Sequence, residues 1–297
     1  SLAGAAVGAW ALHQIARSVI GEEAARDTVL ILALYPTAFV FTAAYSEGLF
    51  LAFAATSFLA AQRGRPWIAG VLAGLAVATR LMGLALIPAL VVLLWPRTRT
   101  EIPRLAPVIL LPLMGLAAVA LTFDLALDDS LAFAHAQKYW DRDPSLLGPL
   151  GGVYEALRAL PDSLSWLTSL PRREHTPGEA FSIVDTVRMQ QGQLGLWNLV
   201  DLLALVGASA LTVVAWRRLG PAYAVYSAGC LAIATSAPGE SIVLNSMVRF
   251  VMVDFPVLMA GAALLAPRPQ LRTGVLVTLG ALTAVAGATF ARKNWVA

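Results

Sequence analysis

Long apolar runs separated by short polar connections recur along the chain, and they constrain its fold more than any other feature. Runs such as "VLILALYPTAFVFTAA" and "GLFLAFAATSFLAA" carry no charged residue. Of the 297 residues, 58% are hydrophobic and 13% are charged, whereas about a quarter of the residues in a soluble domain are charged. Backbone groups inside a bilayer must be hydrogen-bonded within the protein, and helices achieve this within each segment. The sequence therefore predicts an all-α fold, a polytopic transmembrane helical bundle formed by residues 1–297 as a single domain.

We predict about ten membrane-spanning segments, because a span needs roughly 20 apolar residues, or fewer where it ends in a buried pocket. They cover residues 1–19, 29–45, 47–62, 66–79, 82–96, 105–123, 196–216, 221–236, 249–266 and 272–291. The region around Arg80 can be interpreted as two short helices or as one long tilted helix. With two helices, the arginine-rich connections all lie on one side of the membrane. With one helix, the orientation of every later segment would be reversed.

The distribution of arginine predicts the orientation of the bundle. Arginines are concentrated in the connections on one side: Arg63, Arg65, Arg97, Arg99, Arg104, Arg217, Arg218, Arg268 and Arg272. Short connections on the other side contain Arg80 and Arg249, and the final tail contains Arg292 and Lys293. Basic residues collect in cytoplasmic loops, so the side that contains Glu47 is predicted to lie outside the cytoplasm. Because the arginines are scattered among short loops, the net charge of +3 does not indicate a nucleic-acid partner.

One large loop, residues 124–195, is predicted to lie on the same extracytoplasmic side. Within it, apolar residues recur at spacings of three and four: Leu150, Val153, Leu157, Leu160, Leu164 and Leu167. This spacing indicates an amphipathic helix, interrupted or restarted at Pro161. Such a helix is expected to lie along the membrane surface.

The polar residues that could carry chemistry gather on this side as well. They are Glu47, Arg80, Asp124, His135, Gln137, Lys138, Trp140 and Arg249. A carboxylate such as that of Glu47 costs about 2.5 kcal/mol or more in the hydrocarbon region, so its place between two apolar runs needs a reason. Ser46 could be the N-cap of the next helix, with Glu47 stabilising the first turn through the helix dipole. Alternatively, Glu47 faces a reaction chamber.

Four stretches, in order, resemble hallmark segments of the PIG-V mannosyltransferase family. They are "GEEAARDTVLILALYPTAFVFTAAYSEGLFLAF", "GRPWIAGVLAGLAVATRLMGLALIPAL", "DSLAFAHAQKYWDRD" and "SMVRFVMVDFPVLMA", and together they lie within residues 21–265. The family patterns that they resemble are "ALFPTSFF" followed by "YSESLF", then "GLLAALTRPTGLLLLP", "DPLAFLHAQ.WGR" and "SMPRYLLVLFPLFLA". One departure is that the "TRP" of the family is Thr79, Arg80 and Leu81 here.

The resemblance implies a GT-C-like membrane glycosyltransferase. Such enzymes move a sugar from a polyprenyl-phosphate donor to an acceptor outside the cytoplasm; mannose is the expected sugar, and the acceptor could be a lipid, a glycan or a protein. The resemblance also expects an earlier outward loop with a Trp-Asp motif whose aspartate is the catalytic base. No segment here matches that loop, so we expect the base to lie upstream of Ser1 and the chain to be N-terminally incomplete. Alanine and arginine richness with two lysines indicates a high-GC bacterium, and hence its plasma membrane.

Arg80 and Arg249 are the predicted ligands of the donor phosphate, because a guanidinium fork matches phosphate oxygens. The other interpretation is that they snorkel or form structural ion pairs. Glu47 is predicted to be a supporting acid that orients the acceptor or the donor, with Tyr45 and Ser46 beside it.

The sugar or the acceptor is predicted to contact His135, Gln137 and Trp140, which combine hydrogen-bonding groups with an aromatic face. Asp201, near the outer end of its span, is a further candidate for an acceptor or structural contact. The sequence predicts no metal site, since no motif of metal ligands is present. A divalent cation is kept as an alternative cofactor only because some GT-C enzymes use one.

A transporter or lipid flippase without transferase chemistry is the main alternative. Transporters often contain internal repeats and broken helices near the middle of the bilayer. No repeat is visible here, and the polar groups collect at one side, which favours an interfacial enzyme. A membrane scaffold is a third interpretation.

Overall fold

The computed structural model describes residues 1–96, 98–168 and 183–292, without the side chains of 166–168 and 183–192. Every regular element within these ranges is a helix, which confirms the predicted all-α class. Arg97, Lys293 and residues 169–182 of the predicted loop lie outside the described part of the chain.

Fourteen α-helices form the described part of the protein. The first seven are α1 (Leu2–Ile20), α2 (Glu22–Ala33), α3 (Glu47–Gln62), α4 (Pro66–Thr79), α5 (Leu86–Leu93), α6 (Ala106–Leu127) and α7 (Ala132–His135). The others are α8 (Pro149–Arg158), α9 (Leu160–Thr168), α10 (Ile183–Arg218), α11 (Pro221–Thr235), α12 (Met247–Val253), α13 (Phe255–Leu265) and α14 (Pro269–Ala291). Short 3₁₀ helices occupy Ala38–Thr42, Leu81–Ala85, Arg99–Leu105 and Ala136–Trp140.

Three of these helical stretches are long and apolar enough to cross a membrane. They are Arg99–Leu127, Gln193–Arg218 and Pro269–Ala291. The pair α12 and α13 makes a fourth if it is counted as one bent span. Several other apolar helices, including α3 and α4, are shorter. The protein is therefore compatible with membrane insertion, while helix length alone does not reproduce the predicted ten spans.

Proline explains two breaks in the predicted spans, after Pro36 and at Pro256, whereas the break at Arg80 contains no proline. The region 66–96 is two helices, α4 and α5, joined through Arg80 and a 3₁₀ turn. The predicted span 249–266 is instead bent by 77° between α12 and α13, where Pro256 follows Asp254 and Phe255. A proline lacks the N–H that would continue the helix, so the chain restarts there. Likewise the predicted span 29–45 is α2 followed by a 3₁₀ turn after Pro36.

The predicted loop 124–195 is partly helical. Helix α6 continues to Leu127 and α10 begins at Ile183. The predicted amphipathic helix is two helices, α8 and α9, and Pro161 lies in the first turn of α9, where its missing N–H costs nothing. Leu150, Leu157 and Leu164 are exposed on them. Residues 128–148, which we call the bridging segment, run from α6 to α8.

Small residues allow the central helices to pack closely. Gly4 and Gly8 of α1 lie against the backbone of α3 near Gly48 and Leu51, and Gly74 of α4 lies against Leu111 of α6. In both contacts the residue numbers rise together, so the paired helices run parallel. Glycine permits such close approach of helix backbones. Arg80, directly after α4, pairs with Glu47, the first residue of α3. Helix α3 therefore begins near the level at which α4 ends, and we call this the Glu47 end of the bundle.

Candidate functional site

Glu47 is fully buried at the first residue of α3 and joins two arginines from other helices. Its Oε1 accepts a hydrogen bond from Nη1 of Arg80 at 2.6 Å and forms an ion pair with Arg249, whose Nε lies 3.1 Å away. Nη1 of Arg80 also approaches Oγ of Ser46 at 3.4 Å. Ser46 is the N-cap residue of α3, but its side chain makes no capping bond. Ser46 is therefore the N-cap residue by position, as predicted, while its hydroxyl lies near Arg80 and does not bond to the backbone of α3.

Phe250 of α12 is a platform for three guanidinium groups. The Cζ atoms of Arg80, Arg142 and Arg249 lie 5.2, 5.1 and 5.9 Å from the centroid of its ring. Arg249 also lies 5.2 Å from the centroid of the Tyr45 ring. The negative face of an aromatic ring attracts cations at such distances. We call Arg80, Arg142 and Arg249 the arginine cluster.

Sequence reasoning missed Arg142 as a site residue. It lies in the stretch "QKYWDRD", which was quoted for the family resemblance, but only its neighbours Gln137 and Trp140 were assigned a role. Its Nε donates to the carbonyl of Ala237 at 3.1 Å, and its Nη2 donates to that of Ala234 at 2.9 Å. Arg142 also forms an isolated antiparallel bridge with Gly239. These bonds hold the side chain of Arg142 between the end of α11 and Phe250 of α12. The contacting residues are distant in the chain, so no local sequence pattern predicts the contact.

Burial, and then the positive charges of Arg249 and Arg80, lower the pKa of Arg142 to about 10. This direction is the expected one for a cation that loses hydration and lies near like charges. With a pKa near 10, the side chain is still positively charged at neutral pH.

Two neighbouring cavities open around the cluster. The polar cavity, about 260 Å³, is lined by Tyr45, Glu47, Arg80, Gln137, Trp140, Arg142, Asn245, Ser246, Arg249 and Phe250. A second cavity, about 560 Å³, shares Arg80, Gln137, Trp140, Arg142 and Phe250 with the polar cavity. It continues past six apolar side chains, after which we call it the apolar groove: Leu81, Met82, Leu116, Val119, Phe123 and Phe133. A ligand that fills both would place a charged head among the arginines and a hydrophobic body along α4 and α6.

The predicted sugar-binding residues separate into two groups. Gln137 and Trp140 line both cavities. His135 is exposed instead, with Nδ1 2.8 Å from Oδ2 of Asp129, and it is not part of either cavity wall. Asp129 is also exposed; its hydrogen bond with His135, and then that from the N–H of Leu131, hold its pKa below the usual range. His135 therefore stabilises the turn after α6.

Asp201 contacts the backbone behind the cavity. Its Oδ1 accepts from the N–H of Val248 at 3.1 Å, at the first turn of α12. One turn earlier on α10, Asn198 accepts from the N–H of Val243 at 2.9 Å. Between these two contacts Ser246 adopts a left-handed conformation with φ of 67°, which a non-glycine residue adopts only when its surroundings hold it there. Asp201 thus holds the helix that carries Arg249 and Phe250. Of the two roles predicted for Asp201, an acceptor contact or a structural contact, this is the structural one.

The second carboxylate oxygen of Glu47, Oε2, is buried and has no hydrogen-bond partner among the described residues. A buried acceptor without a partner is costly, so it marks a place where a donor group is expected. Within the described ranges, no three His, Cys, Asp or Glu side chains converge as metal ligands do. The donor set of the cavity is rich in guanidinium groups and suits an anion.

Comparisons with known proteins give no further guide to the ligand. A scan of family models found no match, and searches of curated proteins and of solved structures found no significant match. The resemblance to the PIG-V family therefore stays an expectation from the quoted motifs, and the site has to be interpreted from its own geometry.

Proposed function

We propose that this protein is a membrane glycosyltransferase that moves a hexose, mannose being the expected sugar, from a polyprenyl-phosphate donor to an extracytoplasmic lipid, glycan or protein acceptor. The observation that carries the proposal is the continuity of the arginine cluster with the apolar groove. An anionic head joined to a long hydrocarbon tail would fit both parts. A lipid-linked sugar phosphate has this chemistry.

The reaction gives the arginines a defined role. An acceptor hydroxyl oxygen forms a bond to C1 of the sugar while the bond from C1 to the phosphate oxygen breaks, and the electron pair leaves with the lipid phosphate. The proton of the hydroxyl goes to a general base. Negative charge grows on the phosphate as the bond breaks, and prepositioned cations lower the barrier by stabilising it. Arg80 and Arg249 are the proposed donors to that phosphate.

Glu47 is the proposed supporting acid and not the base that takes the proton. Its Oε1 is already engaged by the guanidinium groups of Arg80 and Arg249. Its Oε2 is the oxygen left to orient a hydroxyl of the sugar or of the acceptor. Gln137 and Trp140 would contact the sugar, since an amide and an aromatic face lie on the same wall.

The proposed membrane arrangement has about ten helical segments that alternate in direction in a GT-C-like bundle. The Glu47 end would lie outside the plasma membrane of a bacterium. The exposed arginines at the opposite end, such as Arg99 and Arg268, support this orientation through the positive-inside rule. The short helices α3 and α4 are compatible with it because they end at a buried cavity.

A flippase or transporter is the second candidate, and one observation favours it. The bundle contains a helix pair bent by 77°, and Asp254 lies fully buried at the break. Discontinuous helices with a buried acid are typical of transporters. However, Oδ1 of Asp254 accepts from the hydroxyl of Ser227, and Asp254 lines neither the polar cavity nor the apolar groove.

One experiment separates the two functions. The full-length protein is reconstituted in sealed liposomes with polyprenyl-phosphate-[³H]mannose, and membranes of the expressing host supply acceptors. We expect label to move to an acceptor in the wild type and in Arg268→Ala, an exposed arginine outside the site, and to fall at least about 100-fold in Arg249→Ala. Bidirectional movement of a fluorescent polyprenyl phosphate across the bilayer, with no transfer of mannose, would instead support the flippase.

A further inference from the structure

The three arginines of the site are not equally compensated. Arg80 and Arg249 share one carboxylate oxygen of Glu47, whereas the two hydrogen bonds of Arg142 go to the neutral carbonyls of Ala234 and Ala237. The charged side chains in the wall of the polar cavity are therefore three guanidinium groups and one carboxylate. Arg142 contributes a positive charge that no carboxylate in the wall balances.

Other charged groups near the cluster do not occupy the cavity wall. Asp201 lies behind α12, where its Oδ1 accepts the N–H of Val248. Asp141 is exposed, and its Oδ2 accepts the N–H of Ser241. Lys138 and Glu240 are exposed as well. Even with Asp201 and Glu47 both ionised, the three arginines leave a positive surplus at the cavity.

Arg142 also keeps hydrogen-bonding capacity for a ligand. Its two hydrogen bonds to backbone carbonyls use two of the five N–H groups of a guanidinium. The guanidinium stays beside the Phe250 ring, at the boundary that the polar cavity shares with the apolar groove. A phosphate held there by Arg80 and Arg249 would meet Arg142 from the side of the bridging segment.

The proposed reaction changes the charge of the phosphate that the cluster holds. The donor is a phosphodiester with one negative charge and two unesterified oxygens. The lipid phosphate that leaves is a phosphomonoester, which has three unesterified oxygens and a second pKa of about 6. A positive site attracts the doubly charged form more strongly, and a third guanidinium matches a third oxygen.

We infer that Arg142 makes the site selective for the charge of the phosphate, so that the lipid phosphomonoester binds more tightly than the glycosylated donor and inhibits transfer. This inference rests on the proposed function, because it concerns the product of that reaction. It implies that accumulated lipid phosphate competes with the donor for the site. It also implies that a reaction which removes or translocates the lipid phosphate must accompany this enzyme.

The test compares two ligands that share the farnesyl chain and differ by one methyl ester on the phosphate, which removes one oxygen that can be ionised. Farnesyl phosphate and farnesyl methyl phosphate are titrated against the full chain in nanodiscs of neutral phosphatidylcholine, at pH 5.0 and pH 7.5. At pH 7.5 the monoester should bind about tenfold more tightly, the equivalent of one charge-assisted hydrogen bond. At pH 5.0 most of the monoester carries one charge, so the ratio of the two affinities should fall toward one. Inorganic phosphate in a third arm should compete poorly if the apolar groove contributes.

Variants assign the effect to Arg142. Arg142→Gln should bring the ratio of the two affinities at pH 7.5 close to one, whereas Arg142→Lys should retain most of it and the control Arg268→Gln all of it. Loss of a purely structural contact would weaken both ligands alike and leave their ratio unchanged. The wild-type pH profile needs no variant, so poor folding of Arg142→Gln would not prevent the test.

The outcomes distinguish this inference from the proposed function. Equal binding of both ligands at pH 7.5, with mannose transfer intact and insensitive to added farnesyl phosphate, would overturn the charge selectivity alone. Failure of both farnesyl ligands to bind, together with absence of transfer, would overturn both. Tight binding of inorganic phosphate at the affinity of farnesyl phosphate would overturn the lipid-phosphate assignment and indicate a site for a soluble anion.

Discussion

A single buried carboxylate organises the charges at the residue scale. Glu47 compensates two guanidinium groups that would otherwise repel each other beside the Phe250 ring. The amino end of α3 adds a favourable dipole for the carboxylate. Glu47 therefore combines the two roles that the sequence left as alternatives, since it lies in the first turn of α3 and also lines the cavity.

Replacing Glu47 by Gln should destabilise the protein. Breaking a buried ion pair leaves an uncompensated charge, and here two arginines would lose their partner, so we expect the free energy of unfolding to fall by about 3 kcal/mol or more. Thermal and denaturant unfolding of the protein in detergent measures this. The control Glu240→Gln, at an exposed position, should change it by less than about 0.5 kcal/mol. Equal stability of the two variants would contradict the buried ion-pair network.

The turn after α6 should show a pH dependence of its own. The folded-state pKa of Asp129 is lowered by its hydrogen bond with His135, so the stabilisation from Asp129 is present above the unfolded pKa of about 3.9 and is lost as the pH falls through the folded value. The difference in melting temperature between wild type and Asp129→Asn should be retained at pH 6 and shrink below pH 4. A difference that grows in acid would contradict the direction of the shift.

Helix packing at the element scale depends on glycine. Gly70 and Gly74 of α4 face the backbone of α6, and Gly115 of α6 faces Gly74 in turn. This contact holds α4 against α6, and both helices wall the apolar groove. Packing of small residues therefore also sets the width of the groove that the proposed lipid tail would occupy.

Adding one methyl group to this contact should destabilise the protein. A Cβ at Gly74 would lie 2.8 Å from the carbonyl oxygen of Leu111, so the helices would have to separate. For Gly74→Ala we expect a loss of about 1–3 kcal/mol in the free energy of unfolding, as in overpacked cores. The matched control is Gly207→Ala in α10, where nothing lies within 4 Å of the added carbon; it should be neutral or stabilise by up to about 1 kcal/mol.

At the scale of the whole molecule, the distribution of charge separates the two ends of the bundle. The Glu47 end carries the arginine cluster over an apolar groove, whereas the opposite end carries exposed arginines on short connections. Helix α14 has no buried residue, and it is attached to the rest by the pair of Arg272 with Asp27 and by Thr283, which donates to backbone carbonyls after α2. This exposure suits a helix surrounded by lipid.

The proposed orientation predicts the accessibility of each end. In a Cys230→Ser background, which removes the one native cysteine, a cysteine at exposed position Glu240 should react with a membrane-impermeant maleimide added to intact cells. A cysteine at Arg99 should react only after the membrane is permeabilised. The reverse pattern would place the proposed donor site on the cytoplasmic side and remove the enzyme interpretation, because the expected acceptor lies outside.

Local sequence carried enough information for the helical class and for part of the site. Apolar runs indicate helices because a buried backbone must satisfy its own hydrogen bonds. Arg80, Arg249 and Glu47 could be selected because charged residues beside apolar runs are costly and therefore conspicuous. His135 was selected for a different reason, as a hydrogen-bonding group near the aromatic face of Trp140, but its partner Asp129 holds it outside the cavity walls.

Tertiary structure alone decided what these residues do together. Arg142 joins the arginine cluster through hydrogen bonds to backbone carbonyls about ninety residues later in the chain. Asp201 supports the cluster through the backbone of α12. Neither contact produces a periodic pattern in the sequence. The sequence by itself determined which segments are apolar and which positions carry charge, since hydrophobicity is a property of each residue. The meeting of three arginines, one carboxylate and one phenyl ring was decided only by the fold, because it depends on how helices distant in the chain pack and where they bend.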